Sequence, residues 1–358
     1  MREDWKYEKL LDVCEVYQPK TISKKDLVVD GVYDVYGANG IIGKYNLYNH
    51  EESEVLLGCR GACGCINVSK PKSWINGNAM VVHPKNSDLI KAYLVYLLKS
   101  LDYSQVISGT AQPQITRTSL SSVTIPVPPL PEQERIVSLL DTQFAKIDAL
   151  KANAASQLQA AKDLFQSALK QLLTPQKGWE KEKFGNVCKY YKNQKRKEFL
   201  PYIGLEHIEA HTGELLSFIS SSEVESGAFT YKKGFVLYGR LRPYLQKVII
   251  APFDGCCSTE LFPIVSEAIN NKYLKYWLIS DRITDFLNST CSGCRMPRAN
   301  MNQLLMEDIS FPSLPEQERI AARLDAISEK VKALQANYDQ TITLCNDLKQ
   351  SLLKSIFE

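Results

Sequence analysis

The sequence predicts an α/β protein, α+β within each part. It reads as two globular blocks with mixed sheets, joined by two long antiparallel coiled-coil helices in a pseudo-two-fold tandem repeat. Three observations carry that expectation. The heptapeptide LPEQERI stands at 130–136 and again, letter for letter, at 314–320. The residues flanking both copies match over longer stretches, so a whole unit is duplicated. At each copy the hydrophobic period changes from that of strands to that of a helix.

The bulk properties agree. A chain of 358 residues, 44% hydrophobic and 23% charged, suits a globular protein of about two domains. Its first residues, MREDWKYEKL, lack the apolar stretch of a secretory signal. No window approaches an uncharged apolar run long enough to span a bilayer. The ten cysteines are therefore expected as reduced thiols in a cytoplasmic protein. The net charge of +3 gives no overall basic field, and the small excess sits in the two blocks.

The repeat has two offsets. IPVPPLPEQERIVSLLD (125–141) lies over ISFPSLPEQERIAARLD (309–325), with Gly109 and Pro113 falling on Gly293 and Pro297. WKYEKLLDVCEV (5–16) lies over WEKEKFGNVCKY (179–190) at a shorter offset, so the second block is the longer one. The resulting boundaries are 1–130 and 174–313 for the blocks, 131–173 and 314–358 for the helices. A period of this length is a domain duplication, too long for a solenoid.

In chain order, the first block reads as short strands and turns: VYDVYGANGIIGKYN, EVLLGCRGACGCINV and AMVVHP, rich in Val, Ile, Tyr and Gly. At Pro131 the pattern turns helical. Proline suits a first helical turn, and Glu132 and Glu134 complement the helix dipole. Leu140, Ile147, Leu150, Leu158, Phe165 and Leu172 then form a narrow apolar stripe, closed by TPQKG (174–178). The second block repeats the strand pattern in FVLYGRLRPYLQKVII. Pro315, Glu316 and Glu318 restart a helix. Its seam is Leu324, Val331, Tyr338 and Leu352 in one heptad row, with Ile320, Ile327, Leu334 and Leu348 in the companion row. About 43 residues at 1.5 Å each give a helix of roughly 65 Å. So narrow a stripe needs a partner, and two helices of equal length can supply each other. Paired antiparallel, they would hold the blocks at fixed separation and opposite polarity, a shape suited to duplex DNA.

LPEQERI opening a long helix twice around dissimilar blocks resembles the specificity subunit of Type I restriction–modification systems. YGANGIIGKYN (36–46) with LLGCRGACG (56–64) looks like one type of target-recognition domain in that family. YIGLEHIE (202–209), LYGRLRPYLQKV (237–248) and CCSTELFPI (256–264) look like another. The resemblance covers nearly the whole chain. It implies a non-catalytic, DNA-binding subunit in which each block reads one half of a bipartite, asymmetric site. It further implies that the helices set the gap and dock two modification (methyltransferase) subunits, with restriction subunits joining for cleavage. S-adenosylmethionine is expected on the modification subunits and no cofactor on this chain.

Other chemistries fit the residues poorly. The only Pro-Pro, in VPPLPE (127–132), precedes Leu, so the Asn/Asp-Pro-Pro-aromatic segment of a methyltransferase is lacking. GANGIIGKY (37–45) has Ala38 and Tyr45 where a phosphate-binding loop needs Gly and Ser or Thr. EHIEAH (206–211) spaces two histidines like a zinc helix, but its glutamate is misplaced and the stretch is turn-like. Cys291 and Cys294 alone make a weak zinc signal, so no metal is expected.

For DNA the chemistry asks for Arg or Lys toward guanine, Asn or Gln toward adenine, and cations toward phosphate. The first block offers Asn39, Lys44, Arg60, Gln112, Gln114 and Arg117. The second offers Lys195, Arg196, Arg240, Arg242, Lys247, Arg295 and Arg298. The competing reading is a coiled-coil adaptor whose blocks bind protein. It gives no reason for the blocks to diverge while the helix starts stay identical; a reader of an asymmetric site does.

Overall fold

The computed structural model describes residues 5–109, 112–193, 199–293 and 295–357. The chain forms two compact units, one of residues 1–153 with 340–358, the other of 154–339. The long helices run Leu130–Leu173 and Leu314–Phe357, 44 residues each. Each unit therefore takes the start of one long helix and the end of the other. Among the described residues no helix is long and apolar enough to cross a membrane.

In the first unit, Lys6–Lys9 pairs antiparallel with Thr124–Val127, next to the helix start. A four-stranded antiparallel sheet has the order Cys14–Tyr17, Ala79–Pro84, Val55–Gly58, Ile66–Val68. A three-stranded sheet joins Gly40–Tyr45, Tyr33–Gly37 and Trp74–Ile75, the last pair parallel, so the sheet is mixed. The helix Lys91–Ser100 covers the four-stranded sheet, burying Tyr93, Leu94, Leu97 and Leu98 with Val55, Leu57, Met80 and Val82.

The second unit repeats this wiring where the letters no longer match. Glu180–Lys183 pairs with Asp308–Phe311. Cys188–Tyr190, Leu261–Ser266, Val236–Gly239 and Val248–Ile250 form the antiparallel four-stranded sheet. Pro201–Ile203 runs parallel to Gly255–Ser258 in a second, mixed sheet. The helix Asn271–Ile279 packs as its counterpart does, started by Asn270, whose Oδ1 accepts from Lys272 N and Tyr273 N. A further helix, Asp281–Ser289, follows it directly.

LPEQERI is explained by what its side chains do at each helix start. Gln133 and Gln317 are fully buried. Gln133 Oε1 accepts from Ile90 N (2.8 Å), and its Nε2 donates to Asp88 O (2.7 Å) and Pro128 O (2.8 Å). Gln317 repeats this with Asn270 N (2.7 Å), Ala268 O (3.1 Å) and Pro312 O (2.9 Å). Each glutamine thus ties the long helix to the segment that starts the sheet-covering helix. Ile136 and Ile320 enter the cores, while Arg135 and Arg319 reach outward to Glu132 and Glu316 one turn back. Tyr96 Oη donates to Asp141 and Tyr276 Oη to Asp325 (2.6 Å), which clamps the same helix pair again.

In the first unit, Lys349 Nζ meets Asp148 (2.6 Å) and Lys151 Nζ donates to Asn346 (2.5 Å), so the two helix segments there are antiparallel. Leu140 and Leu353 share that unit's core; Leu169, Ile320 and Leu324 share the other's. Ile147 and Leu158 are also buried, Phe165 and Leu172 partly so. The packed row keeps Leu324, Val331, Tyr338, Cys345 and Leu352 at least partly buried. In the companion row Ile320 is buried and Ile327 intermediate, but Leu334 and Leu348 are exposed, as is Leu150 in the first helix. These three lie off the packed stripe. An α-helix drifts by about 20° per heptad against a strict seven-residue repeat, so one of two parallel rows walks toward solvent.

Candidate nucleic-acid interface

The ends of the four-stranded sheets bring Arg240 and Arg298 together in the second unit and set Arg60 opposite Gln114 in the first. In the first unit Cys59 follows the strand Val55–Gly58. Its N donates to Asn78 O (2.9 Å) and its O accepts from Ile115 N (2.9 Å), while Arg60 faces Gln114 across an isolated bridge. In the second unit Arg240 follows the strand Val236–Gly239. Its N donates to Glu260 O (3.0 Å) and its O accepts from Ala299 N (2.9 Å), while Leu241 faces Arg298. Tyr17 opposes Val81, and Tyr191 N donates to Pro263 O (2.8 Å), which sets Gln18 and Lys192 at equivalent places. Backbone register thus makes Gln18, Cys59, Asn78 and Gln114 the counterparts of Lys192, Arg240, Glu260 and Arg298.

A cleft is lined in the first unit by Gln18 of its quartet, and in the second by Lys192, Arg240 and Arg298. The first, about 370 Å³, is lined by Glu15, Tyr17, Gln18, Met80 and Arg117 among others. The second, about 340 Å³, is lined by Lys192, Arg240, Phe262, Arg298, Asn300 and Asn302 among others. Gln18 Nε2 donates to Cys59 Sγ (3.1 Å) and Gly77 O (3.1 Å), and burial pushes the Cys59 thiol up, so the first quartet is neutral. The second is ionic. Glu260 accepts from Arg240 Nε on Oε2 (2.8 Å) and from Arg298 Nε on Oε1 (2.9 Å). Burial opposes ionisation of Glu260, but these two hydrogen bonds outweigh it and hold the carboxyl below its ordinary value. Arg240 and Lys192 both lie against the Phe262 ring, at 5.6 and 4.9 Å from its centroid.

Of the other candidates only Arg117 is among the residues lining either cleft. Asn39 is exposed in the two-residue turn between Tyr33–Gly37 and Gly40–Tyr45, which makes GANGIIGKY a hairpin. That turn packs on the loop of Arg60: a Cβ on Gly58 would sit 2.5 Å from Ala38 O and 2.2 Å from Ala62 O. Gln112 and Arg117 are exposed and Gln114 half-buried. Lys44 is exposed along the hairpin, opposite Asp34. Arg242 is exposed in a left-handed backbone (φ 52°), its N donating to Pro297 O (2.8 Å), which sets it beside the loop of exposed Arg295. Lys247 is otherwise engaged: burial lowers its pKa, and its Nζ donates to Leu205 O (2.7 Å). Lys195, Arg196 and Cys294 lie outside the described residues. Sequence reasoning missed Gln18, Lys192, Asn78 and Glu260. The match of residues 5–16 with 179–190 continues to Gln18 and Lys192, but nothing local connects them to residues far along the chain.

His207 sits in a 3₁₀ turn, with Nδ1 accepting from Gly204 N (2.9 Å), and His211 lies beyond it in left-handed backbone, so EHIEAH is not helical. Among the described residues no group of three or more His, Cys, Asp or Glu is arranged to hold a metal ion.

Comparison with known proteins agrees with the duplication. The sequence matches the Type I restriction modification DNA specificity domain twice, over residues 2–160 and 176–344. It is 24% identical to the Type I restriction enzyme EcoDI specificity subunit of Escherichia coli, covering 99% of this chain and 88% of that protein. It is 23% identical to the putative type I restriction enzyme MjaX specificity subunit of Methanocaldococcus jannaschii, over 94% of this chain and 90% of that one. In fold it resembles a chain solved in a study of complex assembly and conformational transition of the type I R-M system (TM-score 0.73, 18% identity, 99% and 97% covered). The HsdS subunit from Thermoanaerobacter tengcongensis is also similar (TM-score 0.54, 18% identity, 100% and 97% covered).

Proposed function

Since the chain belongs to the family of Type I restriction–modification DNA specificity subunits, we propose that its two target-recognition units each read one half of a bipartite, asymmetric DNA site. The long helices set the gap between the halves and dock two modification subunits, which carry S-adenosylmethionine. Restriction subunits join that assembly in the cytoplasm, and this chain contributes recognition without catalysis. One observation carries the reading. At the same backbone positions the two units set a neutral quartet in one and an ionic quartet in the other. Equivalent frames with unlike chemistry suit a reader of two unlike half-sites.

The surface of the repeat supports the docking. Folding accounts for the buried Gln and Ile of LPEQERI, yet the exposed Leu130 (39%) and Leu314 (48%) are duplicated too, as are exposed Glu134 and Glu318. Two identical exposed patches suit two copies of one partner.

Methylome sequencing of cells expressing the complete system tests the reading. Arg60→Ala is expected to relax one half-site and Arg242→Ala only the other, because the two side chains belong to different units. If both variants lose methylation uniformly across sites, the two arginines contact phosphate and do not read bases. If the unaltered complex methylates no bipartite motif, the DNA-reading function itself fails.

A further inference from the structure

We infer that the cleft of the second unit is a clamp for a single DNA phosphate, made by Arg240, Arg298 and Lys192, with Glu260 as its positioning residue. The inference rests on the DNA-reading function proposed above and deepens it. Three cations converge on one cleft beside the Phe262 ring, and one carboxylate sits among them. Gathering like charges is repulsive, and Glu260 offsets only one of the three, so the cleft retains two positive charges that favour an anion. Both guanidiniums meet Glu260 through Nε. Those hydrogen bonds hold both guanidiniums on one carboxylate and leave the terminal NH₂ groups for other acceptors. A phosphodiester offers oxygens in several directions and one negative charge. A base edge is neutral and gives no reason to assemble three cations. At the equivalent positions of the first unit Gln18, Cys59, Asn78 and Gln114 hold no charge, and its cleft is lined by one charge of each sign, Arg117 and Glu15.

The test is the salt dependence of binding to a 40-base-pair duplex of arbitrary sequence, using the full chain assembled with its modification subunits. One phosphate contact contributes a slope of about 0.9 in log K against log salt. Arg240→Ala, Arg298→Ala and Lys192→Ala are each expected to lower the slope by up to that amount. The double variant R240A/R298A is expected to lower it by no more than about 0.9, because both arginines serve one phosphate. Between 50 and 200 mM salt the double variant should then lose about 3.5-fold less affinity than the unaltered complex. Gln114→Ala should leave the slope unchanged.

Glu260→Gln separates positioning from simple charge. It adds one positive charge, so a merely electrostatic role predicts tighter binding. A positioning role predicts weaker binding, because the amide replaces one of the two accepting oxygens by an NH₂ group that faces an arginine Nε–H. Thermal unfolding of each variant confirms that the fold is retained. Unchanged slopes, or tighter binding by E260Q, overturn the clamp while leaving the DNA-reading function standing. Relaxed preference at one base with an unchanged slope also overturns it, in favour of base reading. Loss of inorganic phosphate or mononucleotide binding in R240A, with duplex binding unaffected, assigns the cleft to a free anion and overturns the DNA source. An unaltered complex that binds duplex no better than modification subunits alone overturns both proposals.

Discussion

Replacing Gln133 by Ala tests whether the repeated heptapeptide is first a structural latch. The side chain is fully buried and makes three hydrogen bonds to main-chain groups, at 2.7 to 2.8 Å. Removing it deletes those bonds and takes the partner from a buried carbonyl, Pro128 O, and from two part-buried groups, Ile90 N–H and Asp88 O. Each bond contributes about 1 kcal/mol net, and each buried group left unpaired costs about 1–3 kcal/mol, relaxation recovering part of it. The expected loss is about 3–4 kcal/mol from the first unit. For a unit of this size that is a fall of roughly 10 °C in its melting temperature. Gln133→Glu is expected to be at least as damaging, since it points carboxylate oxygen at the two carbonyls that the amide now serves. Arg135→Ala, two positions away, removes only an exposed pair with Glu132 and should cost no more than about 0.5 kcal/mol. Scanning calorimetry of the full chain reads the magnitudes. Hydrogen exchange locates them, with faster exchange expected around residues 86–98 in Gln133→Ala and around 266–278 in Gln317→Ala. If Gln133→Ala melts within about 2 °C of the parent, the latch does not account for the repeated glutamine.

Three further outcomes are expected. Deleting one heptad from each long helix should shorten the recognised spacer by about 3 base pairs, since seven residues rise about 10.5 Å, with both half-sites intact in the methylome; altered half-sites would refute the ruler. Gly58→Ala should destabilise the first unit strongly, because its Cβ would lie 2.2 Å from Ala62 O. Gly61→Ala meets open space at φ +81° and should cost only the left-handed strain of about 1 kcal/mol, with chemical denaturation separating the two. Because Arg240 and Arg298 hold Glu260 below its ordinary 4.5 against the effect of burial, the folded state binds that proton less readily than the unfolded one. The stabilisation is therefore full above the ordinary value and lost as pH falls through the folded one. The melting difference between the parent and E260Q should shrink below about pH 4.5 in calorimetry, and a growing difference would reverse the assignment.

The duplication, the helix starts and the mixed α/β character were legible because each is local. Proline and glutamates open a helix within one turn, and a hydrophobic stripe announces itself within two. The pairing of Cys59 with Asn78 and Ile115, or of Arg240 with Glu260 and Ala299, was not legible. It depends on sheet register across loops of different length, so no single offset aligns the two quartets. Glu260 illustrates the difficulty. In CCSTELFPI it reads as one more acidic residue, and only folding sets it between arginines on either side of it in the chain. The exposed Leu334 and Leu348 show the converse: a heptad count assigns both rows of a stripe, but beyond Ile327 these two leucines of the companion row have turned toward solvent.

The same comparison shows how one backbone can carry two specificities. The quartets share strand positions, flanking hydrogen bonds and a buried neighbour, Met80 in one unit and Phe262 in the other. What differs is the side chains set at those positions. The neutral quartet is held by Gln18, which donates to Cys59 Sγ and Gly77 O, and by Cys59 Sγ, which donates to Asn78 O. The ionic one is held by Glu260 between two guanidiniums. Both satisfy the rule that a buried or half-buried polar group needs a partner, so either can be exchanged as a set without disturbing the sheet. A partial exchange cannot. Arginine at position 59 without an acid at position 78 would place an unpaired charge where Cys59 is now fully buried. Recognition chemistry in this architecture should therefore change by quartets, while the glutamine latch beneath it stays fixed.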